Sequence, residues 1–327
     1  MQKKAALISA IASALLTGCG GGGDSDTAQQ ASNTPAPAPA SSPTPSPTPA
    51  SSPSPSPDPA SSPSPTPVGE ALPNLADPQL GSTAATGTGP VGVWSANSGL
   101  GRALAFIDPS LNIYSLNSSA SFVTSELIGS ISTLGASWSM VSGKQFSLVS
   151  AYPVNSGSGT YVQGQTFSGT YLANGMTQSI LWGYDVANAL SVTQNSVTGT
   201  WSQTSVSLTI DSAGALTGTL SGCDVSGTLH LATPGTNQNL YNMSISAAAG
   251  TSCPMPAGMV YSGLAAIVFV PVSGSNVYQR TIAYLVQGAD GQHVAYGQPT
   301  KQSVRLTTPC HRHMADEHCL VERCLVS

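Results

Sequence analysis

Apolar and polar residues alternate with a period of two over much of residues 83–303. Residues 206–210 read Val-Ser-Leu-Thr-Ile, and residues 216–220 read Leu-Thr-Gly-Thr-Leu. This alternation places apolar side chains on one face of a strand and hydroxyl groups on the other. No helical stripe of twelve or more residues interrupts it. The pattern predicts an antiparallel all-β fold, either a barrel or a sandwich.

Turn-forming residues separate these runs at short intervals. They include Asn174-Gly175, residues 211–214 and residues 235–237. Asp290-Gly291 predicts a two-residue hairpin turn, because Asn-Gly and Asp-Gly pairs adopt the positive φ angles that such turns need.

One short sequence occurs twice. Gly-Val-Trp-Ser at 92–95 returns as Gly-Thr-Trp-Ser at 199–202, and each copy leads to a strand and a turn that starts with aspartate, at Asp108 and Asp211. Each half of the folded region carries about eight strand-like runs. Two tandem barrels of eight strands fit this count, because closing a sheet removes its exposed edges. A single larger barrel or sandwich built from duplicated halves fits nearly as well.

The N-terminus has the layout of a secretory signal. Two lysines precede an apolar run at 5–16, which is shorter than the ~20 residues of a membrane-spanning helix. Residues 16–19 read Leu-Thr-Gly-Cys and resemble the lipobox of bacterial lipoproteins. The resemblance implies that Cys19 becomes the new N-terminus and carries acyl chains, a durable anchor when there are two or more. The alternative is a signal peptide with a cysteine near its cleavage site.

The same resemblance implies a location. Gly20 follows the cysteine, whereas aspartate at this position is linked with inner-membrane retention in Gram-negative lipoproteins. We therefore expect the cell envelope, with the outer membrane as a partner through the lipid anchor. Whether the protein faces the periplasm or the cell surface stays open.

A tether separates this anchor from the folded region. Residues 34–67 alternate proline with serine, alanine and threonine, which favours extended polyproline II at ~3.1 Å per residue. Either a spacer with a functional reach or a plain linker fits this composition. The predicted segments are a signal peptide (1–18), a lipidated cysteine with a disordered Gly/Pro/Ser-rich tether (19–82), a first β domain (83–190), a second β domain (191–303) and an atypical Cys/His-rich tail (304–327).

The second half carries a further resemblance. Residues 218–223 read Gly-Thr-Leu-Ser-Gly-Cys, residues 239–243 read Asn-Leu-Tyr-Asn-Met, and residues 261–265 read Tyr-Ser-Gly-Leu-Ala. This pattern resembles uncharacterised proteobacterial all-β lipoproteins and implies a secreted β domain without a known activity. The layout of anchor, tether and paired β lobes also resembles surface lipoproteins that bind host proteins.

Cys223 and Cys253 are the cysteines of the folded region, thirty positions apart. An oxidising compartment favours a disulfide between them. Such a loop would contribute ~3 kcal/mol on the chain-entropy model. A reactive or metal-binding pair is the alternative.

The tail contains a cluster of six nitrogen and sulfur ligands: Cys310, His311, His313, His318, Cys319 and Cys324. They suffice for a tetrahedral zinc or copper site. Their spacing matches no established zinc finger, and the abrupt change of composition favours an extension from a shifted reading frame. No metal site is therefore assigned.

The folded region offers little catalytic chemistry. It lacks the serine-elbow, His-Glu-x-x-His and phosphate-loop motifs. A glycosidase needs two carboxylates facing each other across a cleft, and nothing in the sequence pairs any two of its acids, which are Asp108, Glu126, Asp185, Asp211, Asp224 and Asp290. His230 and His293 are interpreted as ordinary strand residues.

Aromatic side chains are the alternative basis for binding, to sugars or to a protein partner. Core positions are nonetheless expected for the four tryptophans, Trp94, Trp138, Trp182 and Trp201. Nucleic acid binding is disfavoured by the net charge of −5 and by the scarcity of folded-region cations, which are Arg102, Lys144, Arg280 and Lys301.

The sequence thus favours a lipid-anchored envelope protein that acts in binding, adhesion or structure. Its partner would be an unknown protein or glycan, and no catalytic residue or cofactor is predicted. The alternatives are a secreted hydrolase that acts on polysaccharide, and a metal-binding role for the tail.

Overall fold

The computed structural model describes residues 69–99, 101–119, 122–147, 150–250 and 253–302. Cys19, most of the tether and the Cys/His-rich tail lie outside the described residues, so the expectations about them stay predictions. Within the described part, no helix combines the length and the apolar content needed to cross a bilayer.

Residues 92–184 form a closed antiparallel barrel. Its strands are β1 (Gly92–Ser98), β2 (Gly101–Ile107), β3 (Asn112–Ser119), β4 (Phe122–Leu134), β5 (Ser137–Ser147), β6 (Ser150–Pro153), β7 (Gly157–Val162), β8 (Thr166–Ala173) and β9 (Met176–Tyr184). Eight of them pair in the ring order β1-β2-β3-β4-β5-β7-β8-β9, and β9 returns to β1. The short strand β6 pairs with β5 outside this ring.

Residues 199–301 form a second closed barrel. Its strands are β10 (Gly199–Gln203), β11 (Val206–Ile210), β12 (Ala215–Leu220), β13 (Cys223–Leu231), β14 (Tyr241–Ala247), β15 (Val260–Pro271), β16 (Tyr278–Gly288), β17 (Val294–Gly297) and β18 (Thr300–Lys301). The ring order is β10-β11-β12-β13-β14-β15-β16-β18, and β17 pairs with β16 outside it. The predicted all-β fold of two tandem barrels is confirmed, rather than one larger barrel or sandwich.

Helical segments are short and lie beside the barrels. They are α1 (Thr83–Thr86) and the 3₁₀-helices Val186–Ala189 and Gln194–Ser196. The two 3₁₀-helices belong to the connection between β9 and β10.

Both barrels are filled with side chains. In β11 the alternating residues Val206, Leu208 and Ile210 are buried in the second core, as their period of two predicts. The first core is aromatic: the Trp138 ring stacks on Phe167 at 5.0 Å between centroids, and Trp182 stacks on Phe167 at 5.5 Å. All four tryptophans are buried, which confirms the expectation that they are core residues.

The repeated Gly-x-Trp-Ser sequence has the same structure in both barrels. The indole N–H of Trp94 donates to the backbone oxygen of Pro90 at 2.8 Å, and that of Trp201 donates to the backbone oxygen of Val197 at 2.7 Å. Each tryptophan thereby satisfies its buried donor four residues upstream, within the segment that leads into the barrel.

The aspartates that follow the repeat also match. Asp108 accepts a hydrogen bond from the backbone N–H of Asn112 at 2.8 Å, and Asp211 accepts one from that of Ala215 at the same distance. Both are turn residues, as their sequence position predicted.

The turn predicted at Asn174-Gly175 and the two-residue hairpin turn predicted at Asp290-Gly291 have different outcomes. Asn174 and Gly175 form a two-residue turn between paired Ala173 and Met176, with φ angles of 49° and 70°. The prediction of a two-residue turn at Asp290-Gly291 was wrong, because the pairing of β16 with β17 stops at Gln287 and Val294 and a longer loop at 289–293 joins the two strands. The Asp290 carboxylate accepts hydrogen bonds from the backbone N–H groups of residues 292 and 293. These bonds hold the loop in a turn around the Asp290 side chain.

The disulfide between Cys223 and Cys253 is present, with 4.6 Å between the Cα atoms. It joins the start of β13 to the segment after β14. The prediction from the secretory context is confirmed.

The barrels pack against each other through their outer faces. One apolar cluster joins Val93 and Phe106 of the first barrel to Leu264, Ala266 and Val268 of the second. In β15 and β16 the alternation is therefore lost: residues 264–268 and 281–286 are all buried, because one face lines the barrel and the other meets its neighbour.

Two fully buried asparagines complete this contact. Asn188 accepts from the Val93 N–H at 2.8 Å and donates to the Val93 oxygen at 2.6 Å. Asn239 does the same to Ile267, at 2.9 and 2.7 Å, and also donates to the Ala187 oxygen at 3.0 Å. Their polar atoms are satisfied without water, so they align the connection with both barrels.

Candidate binding cleft

A cleft of about 640 Å³ lies between the two barrels on their outer surfaces. Its size falls within the range of ordinary ligand sites. The barrel interiors are packed with side chains, so this cleft is the better candidate for a binding site.

The first barrel supplies a wall of mixed polarity. Trp94 points into the barrel, so the alternation of β1 turns Ser95 and Asn97 outward to the cleft. By the same rule β2 presents Arg102, and β3 presents Ser118. Hydroxyl, amide and guanidinium groups thus line this wall, beside the apolar side chains of Leu104, Leu116 and Val123.

Arg102 and Asp185 are the charged residues that line the cleft in the described part of the chain. Asp185 accepts a hydrogen bond from the Ala187 N–H at 2.9 Å and caps the first 3₁₀-helix. Arg102 is exposed and joins neither ion pair of the described residues, which are Arg280 with Glu70 and His293 with Asp290. Its guanidinium is free to meet an anionic group of a ligand.

The second barrel supplies the opposite wall, with more apolar and aromatic surface. Phe269, Tyr278 and Tyr296 line it together with two glutamines. Gln203 accepts from the backbone N–H of Gln298 at 2.7 Å, and the Gln298 side chain donates to the Thr281 hydroxyl at 3.2 Å.

The C-terminal end of the predicted tether, at residues 70–79, crosses the rim of the cleft. Glu70 pairs its backbone with Tyr278, and its carboxylate accepts two hydrogen bonds from Arg280, one of them at 2.8 Å. Leu72 then lines the cleft, and the Gln79 side chain accepts from the backbone N–H of Ser191 in the connection between the barrels.

The candidate acids of the sequence are dispersed. Asp108 and Asp211 hold matching turns, Asp224 is exposed on β13, and Asp290 lies in the loop after β16. Among the described residues, only Asp185 of the six lines the cleft. The structure therefore does not bring two of these carboxylates together across it.

Neither of the two histidines in the described part of the chain lines the cleft. His230 is exposed on β13. His293 is exposed and contacts the Asp290 carboxylate through Nδ1 at 2.5 Å. Both are surface residues of strands or their loops, in agreement with their interpretation from the sequence.

Glu126 is the acid with the most altered environment. It lies on β4 next to Ile128, on the outer face that packs toward Leu285 of the second barrel. Burial raises the pKa of the Glu126 carboxyl to about 7. Its charge also raises the pKa of Tyr296, after the larger effect of burial.

Sequence reasoning missed the cleft residues Tyr278, Tyr296 and Gln298. One signal that was present is Pro299, which interrupts the run at 294–301 and separates β17 from β18. The cleft itself has no sequence pattern, because it arises from two barrels meeting.

Within the described residues, no group of three histidine, cysteine or acidic side chains is placed to hold a metal ion. No protein-family model, curated protein or solved structure matches this chain. The geometry of the chain itself is therefore the basis for its proposed function.

Proposed function

We propose that this protein is a lipid-anchored binding protein of the cell envelope that holds a polypeptide or glycan ligand between its two barrels without chemical conversion. The cleft carries the proposal. Its walls combine hydroxyl and amide groups, aromatic rings and the guanidinium of Arg102, which joins no ion pair among the described residues. This is the composition of a site that orients a ligand by a few polar contacts on an apolar base.

The anchor part of the proposal is supported by the lipobox-like sequence that ends at Cys19. Metabolic labelling with palmitate tests it, since Cys19→Ser removes the acceptor thiol. Label that persists in Cys19→Ser would contradict lipidation at this position.

A cleft-filling variant tests the site. Ser118 points into the cleft from β3, so Ser118→Trp should fill it without removing a core residue. Ser132 is exposed on β4 outside the cleft, and Ser132→Trp is the matched control. Full-length protein in detergent is applied to arrays of peptides and of neutral and acidic oligosaccharides.

The expected result is a ligand that binds the wild type and Ser132→Trp but loses at least tenfold in affinity with Ser118→Trp. Ligands whose affinity is the same for both variants would place binding elsewhere and overturn the cleft assignment.

A further inference from the structure

Strand β17 has an open edge in the cleft. Its partner on one side is β16, with Tyr284 opposite Gly297 and Gln287 opposite Val294. On the other side β10 pairs with β18, as Ser202 does with Thr300, and β10 then turns away after Gln203. No strand of the described residues covers β17 on that side.

The hydrogen-bond register shows which backbone groups are free. Gly288 donates to the His293 oxygen, and Ile282 donates to the Pro299 oxygen. In an antiparallel ladder the bonding direction alternates along the strand, so residues 293, 295, 297 and 299 face β16. Residues 294, 296, 298, 300 and 302 face the other way.

The outward-facing backbone groups near the C-terminal end of this run have hydrogen-bond partners, and those nearer the cleft do not. Gln302 donates to the Thr200 oxygen, and the Gln298 N–H is held by the Gln203 side chain. The N–H and C=O of Tyr296 and Val294 have no partner among the described residues. Tyr296 is exposed and lines the cleft, whereas Val294 packs beside the cluster of Ile128, Phe146 and Leu285. The backbone groups of Tyr296 are therefore the ones that a ligand in the cleft can reach.

The first barrel has a corresponding extra strand, but its edge is protected. Val154 donates to the Gly143 oxygen, so Ala151 and Pro153 are the residues of β6 that face away from β5. Proline has no N–H, and a proline on an edge prevents strand addition. The β17 edge carries no proline at its two outward positions.

We propose that the cleft takes an extended polypeptide segment of a partner protein, which adds as a strand to the free edge of β17 and places a carboxylate on Arg102. This inference rests on the proposed function and names the class of ligand. Main-chain hydrogen bonds would supply affinity, as in other strand-addition complexes. Among the described residues Arg102 joins no ion pair, whereas the carboxylate of Asp185, the other charged residue of the cleft, accepts from the Ala187 N–H. Arg102 is therefore the group that would bind an acidic side chain of the added segment.

A displayed library of random seven-residue peptides is the probe, selected against the full-length protein in detergent. Selected peptides should be rich in aspartate or glutamate. Hydrogen exchange should show fast exchange at Tyr296 in the free protein and slow exchange when peptide is bound. A ligand held by side chains alone would leave this amide unprotected.

Proline variants separate the two edges. Tyr296→Pro removes an outward donor on β17, and Ala151→Pro makes the corresponding change on β6. We expect Tyr296→Pro to weaken peptide binding about tenfold or more, since several backbone bonds are lost together. Ala151→Pro should bind within about twofold of wild type. Peptides N-methylated at alternate amides give the same test without changing the protein, because methylation in one register should abolish binding and in the other should not.

Each further outcome decides one of the two proposals. Some peptides could bind the wild type, lose affinity with Ser118→Trp and still leave the Tyr296 amide unprotected. This result would overturn strand addition and leave the proposed binding function standing. Strand addition is also overturned, and the binding function stands, if no peptide binds but an oligosaccharide binds the wild type and loses affinity with Ser118→Trp. If Ser118→Trp lowers the affinity for no ligand of any class, both proposals fail.

Discussion

At the scale of single residues, the carboxyl group of Glu126 is buried at the apolar contact between the two barrels. Its side chain is 6% exposed and lies beside the cluster of Ile128, Phe146 and Leu285. Burial penalises the charged form and raises the pKa to about 7 from the usual 4.5. The protonated acid is therefore the form that suits the contact between the barrels.

Glu126 should make stability depend on pH. Between about pH 4.5 and 7 the unfolded chain has lost this proton while the folded protein keeps it, so the free energy of unfolding falls as pH rises. Glu126→Gln stays neutral and should be more stable than wild type at pH 8, by on the order of 2 kcal/mol. Denaturant titrations at pH 4.5 and pH 8 measure this difference.

The control is Asp224→Asn, which neutralises an acid that is exposed on β13. It should leave the pH dependence of wild type intact. An equal gain at both pH values for Glu126→Gln would show that packing rather than ionisation is responsible.

At the scale of strands, Gly159 on β7 and Gly169 on β8 leave room for the Trp138 ring to pack directly on the backbone. A Cβ on Gly159 would lie 2.7 Å from Trp138 Nε1, and one on Gly169 would lie 2.6 Å from its Cζ2. The ring lies over both strands and donates to the Ser168 oxygen at 2.9 Å. Such close backbone approach is one reason for glycine inside a strand.

Gly159→Ala should therefore be costly although alanine is the smallest side chain. The added Cβ also meets the Cα of Gly169 at 2.6 Å, so a strand or the ring must move. We expect a loss of about 2–4 kcal/mol in the free energy of unfolding. Chemical denaturation followed by tryptophan fluorescence measures it.

Gly183→Ala is the matched change, in β9 of the same barrel. The nearest atom to a Cβ there is the Ser95 oxygen at 3.8 Å, an ordinary contact. This variant should lie within about 0.5 kcal/mol of wild type. Similar losses for the two variants would mean that glycine matters through the unfolded chain and not through Trp138.

At the scale of the whole molecule, the shared apolar contact joins the two barrels. It includes residues that are buried only because the other barrel is present, such as Phe106 and Ala266. The segment at 70–79 reinforces this contact by bonding to β16 and to the connection between the barrels. The cleft depends on this arrangement, because each barrel supplies one wall.

Disrupting the contact should uncouple the barrels. Ala266 is fully buried on the outer face of β15, so Ala266→Asp places a charge where no partner is available. Calorimetry should then show two separate unfolding transitions in place of the single one expected for wild type. Ser262→Asp, at an exposed position of the same strand, should keep one transition. Two transitions already in wild type would mean that the barrels are not coupled.

Much of the fold was predictable because it depends on local patterns. A period of two marks the strands, and residues such as Asp211 and Asn174-Gly175 mark turns through their own backbone preferences. The failure at Asp290-Gly291 is also local in cause, since the carboxylate of Asp290 binds backbone groups and lengthens the loop. The candidate site was not predictable, because Arg102 and Tyr296 are far apart in the chain and ordinary in their local sequence.

The amino-acid sequence by itself determined the all-β class, the repeat of two halves, the buried tryptophans and the disulfide. Each of these depends on composition, on a period of two or on the oxidising compartment that the signal-like N-terminus predicts. The tertiary structure decided that the two halves close into separate barrels. Only the tertiary structure decided where the barrels touch, which strand edge stays open and which side chains share a cleft. Those features depend on surfaces that meet across long sequence separations, and alternation along one strand cannot say what lies opposite its outer face.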